Sequence, residues 1–143
     1  MGSDFHDRCE AIEAGYEFAL SYAAQGHSAE DSGTAGQPLR EHLTRAAAAL
    51  AGLEASCAEA VGQERIETAA PGPAARYEAF IAVLGADARH AGAAIELVLA
   101  QPAISSQLID NLNASIHVRA LLTDLFLFAE ILEARQARAL ASG

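Results

Sequence analysis

From Pro102 to Leu140 the chain carries two apolar stripes where one would seat a helix on a core. Ala114, Val118, Leu121, Leu125, Phe128 and Leu132 recur at alternating steps of four and three, and Leu108, Leu112, Ile116, Ala120, Leu127 and Ile131 form a second face. At about 100° per residue the two stripes lie well apart around a helix, so one can face the core of the subunit while the other needs a different cover. A second copy of the chain is the simplest cover, and the stepping of the first stripe matches a coiled-coil seam packed about a two-fold axis. Ala114, Val118, Leu121, Leu125, Phe128 and Leu132 are therefore the expected interface, with Arg119, Asp124 and Arg135 at its rim. Burying the large members would gain roughly 1.5 to 3 kcal/mol per side chain before the cost of association. The rival expectation is a last helix fully surrounded within its own subunit.

The rest of the chain also reads as helix. Phe5, Cys9, Ile12, Tyr16, Ala19, Leu20 and Ala23 mark a first helix over about 4–25, with Asp4 as its expected N-cap and an acidic first turn. Gly26 to Pro38 reads as a polar loop, long for a tight bundle. Pro38 suits a first turn, and Leu39, Leu43, Ala46, Leu50, Leu53, Cys57 and Val61 extend a second helix over about 38–62. The Ala-Ala-Pro-Gly-Pro run at 69–73 ends that segment, and Tyr77 to Val98 repeats at helical spacing, giving a third helix over about 74–100. The fourth covers about 103–140. Polar and apolar residues alternate strictly between Asn111 and Ala120, which a short strand would also explain, but nothing else in the chain reads as a strand to pair with it. The expected fold is all-α, a single domain over residues 1–143 folded as an up-down-up-down four-helix bundle.

Composition narrows function. Nineteen acids against nine bases give a net charge of −10, which repels phosphate backbones and anionic lipid heads, so neither nucleic acid nor a membrane surface is an expected partner. The most apolar window, Val118 to Leu132, is too short to span a bilayer and includes Arg119, Asp124 and Glu130. The opening residues lack a basic start and a continuous apolar run, so a cytoplasmic location is expected. All nine bases are Arg and Ala is abundant, a bias associated with GC-rich bacterial genomes.

Counting outward from the first loop places Cys9 and Cys57 level on adjacent helices. Two reduced core cysteines are the leading expectation and a redox pair the alternative. The same count brings Asp87-x-x-His90 level with Glu13 or Glu17 and with Asn113 and His117. Carboxylates and imidazoles at this spacing are how helical bundles hold iron or manganese, so Glu13, Asp87, His90 and His117 form the candidate site for a transition-metal ion. The Asp87-x-x-His90 spacing resembles that of ferritin-like carboxylate proteins, which carry such a pair on each of two helices; here the second pair is missing. Asp110, Asn113, His117 and Asp124 line up as a polar strip, read as a solvated face.

Other chemistries find no support. Glu10-x-x-Glu13 has no second acidic pair, the glycines form neither nucleotide-binding pattern, and a chain without lysine has no P-loop. His6, His27 and His42 stand apart, Ser105 and Ser106 read as first-turn residues, and the tyrosines read as core-edge packing. Two functions remain. The leading expectation is a non-catalytic, homodimeric accessory or adaptor protein that binds another protein, with no cofactor. The alternative is a bundle that holds a metal ion or small molecule between its helices, with redox or hydrolytic activity.

Overall fold

A computed structural model describes residues 3–29, 32–64 and 72–142. Among them every regular element is a helix: α1 Asp4–Ala24, α2 Ser32–Ala51, α3 Leu53–Gln63, α4 Pro73–Leu99, α5 Ser106–Ala114 and α6 Ile116–Ser142. The fold is all-α, with six helices where four were expected. Two of the expected four are each broken once.

The first break falls at Gly52, between α2 and α3. Arg8 reaches across from α1 and donates through Nη1 to the carbonyls of Ala48 and Ala49, at 3.2 and 3.1 Å, satisfying carbonyls left open at the end of α2. Its guanidinium lies 2.6 Å from where a Cβ on residue 52 would sit, so only glycine leaves room for this cap. Asp4 holds the same guanidinium through Nε at 2.8 Å. The second break falls at Ser115, whose extended ψ of 131° ends α5. Its backbone N–H donates to the Leu112 carbonyl, its hydroxyl accepts from His117 N–H, and its carbonyl accepts from Arg119 N–H. One serine thus closes α5 and opens α6. This is the stretch where polar and apolar residues alternate, and the alternation reflects a change of helix axis rather than a strand.

The starts also differ from expectation. Ser3, not Asp4, caps α1, its hydroxyl accepting from His6 N–H at 3.1 Å. Pro38 lies inside α2, which begins at Ser32, six residues earlier than expected. Part of the expected loop over Gly26 to Pro38 is therefore helix, and residues 30 and 31 lie outside the described residues, as does 65–71 in the Gln63 to Pro73 connection. Pro73 opens α4 at its first turn, where its missing N–H costs nothing.

Buried side chains from all six helices form one contiguous cluster, including Phe5, Leu39, Leu53, Leu84, Ile109 and Leu125. α1 packs mainly on α2, and also on α3 and α5; α4 packs on α6, α2 and α3. Small residues allow the closest approach, since a Cβ on Gly15 would meet the Ala46 methyl at 3.1 Å. Polar contacts lock the ends. Arg40 caps α4 by donating to the Leu99 and Gln101 carbonyls at 2.9 and 2.7 Å. Ser106, buried at the start of α5, donates to the Tyr22 carbonyl at 2.6 Å and accepts from His27 N–H at 2.7 Å, while the Tyr22 hydroxyl donates to the Ile104 carbonyl at 2.6 Å.

Candidate functional site

The two stripes of the last helical stretch take opposite roles from those expected. Val118, Leu121, Leu125, Phe128 and Leu132 are all buried within the chain's own cluster, and Phe128 meets Phe5 edge-on at 5.5 Å. They are not free to meet a second copy; of the expected interface only Ala114 is exposed. Half of the second stripe instead lies open, while Leu112 is buried and Leu108 and Ala120 are half-buried. Ile116, Leu127 and Ile131 are 74%, 49% and 42% exposed. Both stripes have the same apolar character, so sequence alone does not say which one α4 and α1 cover.

Two contacts fix the register of α6 against α4. The imidazoles of His90 and His117 meet with ring centroids 5.3 Å apart, and the carboxyls of Asp87 and Asp124 are adjacent. Antiparallel helices in this register set Val83 level with the turn around Leu127, and Leu97 level with the junction of α5 and α6. Val83, His90 and Leu97 are seven residues apart and share one stripe of α4. Because His90 touches His117, that stripe borders the α6 stripe of Ile116, Leu127 and Ile131. Val83 and Leu97 are half or more exposed too. The result is an open apolar seam along α4 and α6, with two exposed histidines near its middle.

Below the histidines lies an acid pair. Asp124 Oδ2 is shut off from solvent and accepts no hydrogen bond. Burial, together with the hydrogen bond and charge of Asp87, pushes Asp124 up to about 7. A proton on Oδ2 resolves both conditions, since it can be donated to Asp87. The polar strip of Asp110, Asn113, His117 and Asp124 is therefore not a uniformly solvated face: Asp110 and His117 are exposed, Asn113 is buried, and Asp124 is partly buried. Asn113 faces a central cavity of about 30 Å³ among apolar side chains, and its Nδ2 has no partner.

The candidate metal ligands divide. His90 and His117 meet, Asp87 sits beside Asp124, and Glu13 lies on α1 in a separate groove. Among the described residues no group of three or more His, Cys, Asp or Glu side chains has metal-binding geometry. The expected four-ligand site does not assemble among the described residues, because α1 packs chiefly on α2, α3 and α5 and carries Glu13 into a different groove.

The groove holding Glu13 has a volume of about 710 Å³ and lies between the start of α1, the end of α3 and the second half of α6. Phe5, Cys9, Ala129 and Leu132 give it apolar surface, and Glu10, Glu13 and Glu133 line it as well. Cys9, half-buried, and Cys57, buried, are both free thiols, and each is pushed up to about 12, first by burial. Glu13 and Glu133 both raise Cys9, and Cys9 raises Cys57, so the two cysteines do sit as neighbours. Glu133 and Phe5 could not be assigned to this groove from sequence, because α3 and the break at Gly52 create it.

No protein-family model, curated protein or solved structure matches the chain. No helix among the described residues is long and apolar enough to cross a membrane.

Proposed function

We propose that this protein is a non-catalytic accessory or adaptor protein that works as a homodimer, joined along the open seam of α4 and α6. In this reading the six helices act as four rods of an up-down-up-down bundle, with α2 continuing into α3 and α5 into α6. The observation that carries it is the exposure of Val83, Leu97, Ile116, Leu127 and Ile131 along two adjacent helices. A two-fold axis through the seam sets each stripe against its own copy, as isologous interfaces require. Two copies bring ten such side chains together. At half exposure each contributes about 1 kcal/mol on burial, a sum of the same order as the cost of association, so the dimer is concentration-dependent.

The test is sedimentation velocity on Leu127→Asp/Ile131→Asp. The expected outcome is a folded monomer, because neither side chain supports the core. Val118→Asp/Leu125→Asp is expected to unfold the chain instead. A wild-type protein that stays monomeric at high micromolar concentration overturns the reading, as does a dimer unchanged in the first variant.

A further inference from the structure

Two of the five histidines differ from the rest in what they touch. His6 is set against Glu10, His27 against Gln25, and His42 stacks on Phe18. The imidazoles of His90 on α4 and His117 on α6 have only each other as a polar or ring partner among the described residues, and both are exposed. Their ring centres lie 5.3 Å apart. An imidazole nitrogen bound at about 2.1 Å puts its ring centre about 3.2 Å from a metal ion, so two imidazoles at a tetrahedral angle of about 109° have centres about 5.2 Å apart, and two at about 90° only about 4.5 Å. The separation in this protein is that of the tetrahedral pair. Rotation about χ2 turns each ring on an axis through its centre, so both rings can direct a nitrogen to one ion while that separation is kept.

Two imidazoles fill half of a tetrahedral shell, and a second copy across the seam can fill the other half. Val83 and Leu97 stand seven residues either side of His90 on one stripe, and both are half or more exposed. A two-fold axis crossing α4 at His90 sets Val83 of one copy against Leu97 of its partner and brings the four imidazoles of the two copies to one level. Each copy carries a net charge of −10, so a divalent cation on that axis also lowers the repulsion between them. We infer that His90 and His117 of both copies bind one zinc ion on the two-fold axis, four imidazoles closing a tetrahedral shell. This rests on the dimer proposed above. Imidazole suits zinc, copper and nickel, and the tetrahedral spacing selects zinc among them. A shell closed by four protein ligands leaves no position for water or substrate, so the ion is structural and agrees with a non-catalytic role.

The experiment is sedimentation velocity of the full chain in EDTA and in zinc chloride, beside isothermal titration with zinc chloride. One zinc ion per two chains is expected, with a dimer dissociation constant about tenfold lower, or less, in zinc than in EDTA. His90→Ala/His117→Ala alters only exposed side chains, so it should keep the wild-type circular dichroism and dimerise in EDTA as the wild type does, but lose the response to zinc. One zinc ion bound per chain with no gain in dimer, or a double variant that responds to zinc as the wild type does, overturns the inference. The two readings fail separately. A dimer in EDTA that zinc leaves unchanged overturns the zinc site and keeps the seam. A chain that is monomeric in EDTA and dimeric with one zinc ion per two chains upholds the zinc site and overturns the metal-free dimer, and a chain monomeric under both conditions overturns both.

Discussion

Replacing Asp124 by asparagine should stabilise this protein at alkaline pH and not at acid pH. Unfolded, Asp124 releases its proton near 3.8; folded, it does so near 7. Below about pH 4 both states hold the proton, and the site costs nothing. Between about 4 and 7 the folded state alone holds it, so stability falls as pH rises. Above about 7 both states are ionised and the full cost stands. At 1.36 kcal/mol per unit the whole shift corresponds to about 4 kcal/mol, and the partial access of water to this side chain reduces that to about 1–2 kcal/mol. Asparagine keeps the shape, carries no charge and can donate to Asp87 through its amide. Asp124→Asn should therefore raise the midpoint of thermal unfolding by about 3–8 °C at pH 8 and leave it unchanged at pH 4. Asp87→Asn should give a similar gain, and the double variant less than the sum, because both changes relieve one repulsion. Melts followed by circular dichroism at the two pH values decide the matter. A gain that is the same at pH 4 and pH 8, or a loss at pH 8, would refute the half-buried acid pair.

Three further outcomes follow from the packing. Ser106→Ala should cost about 1–3 kcal/mol in urea unfolding, since it strands the His27 N–H and takes one of two donors from the Tyr22 carbonyl, which keeps the Gln25 N–H. Gly52→Ala should cost about 1–3 kcal/mol by displacing Arg8 from the end of α2, and pairing it with Arg8→Ala should recover part of that loss. Both thiols, held near 12, should react with iodoacetamide at pH 8 far more slowly than a free cysteine, and at the same rate as one only after denaturation.

How much of this was legible in the sequence depended on whether a signal was local. The spans of α1 and α4 could be read from their stripes, and the break at Pro102 from proline itself. The Gly52 break could not, because what requires it is the Arg8 guanidinium, over forty residues away. The Ser115 break left a visible trace in the alternation of residues 111–120, which fits two helix axes as well as a strand. Pro38 misled because a first-turn proline and an interior one look alike in one dimension. The existence of two stripes on the last helix was plain, and their assignment was not: Leu125 and Leu127 are the same residue two positions apart, and only packing against α4 and α1 buries one and leaves the other open. The polar residues divided in the same way. His90 and His117 could be placed by height along antiparallel helices, whereas Glu13 also required knowing which helices α1 packs against. Asp124 was not placed by that count, since pairing His90 with His117 sets Asp87 level with Ala120, a turn away from Asp124.

The most direct test of the account is the sedimentation behaviour of the wild-type chain over about 1–200 µM, beside Leu127→Asp/Ile131→Asp, a range chosen because seam burial and association cost nearly balance. A monomer–dimer equilibrium in the wild type, and a folded monomer throughout in the variant, is the predicted result. A wild type that remains monomeric across the range, or a variant that still dimerises, would contradict it.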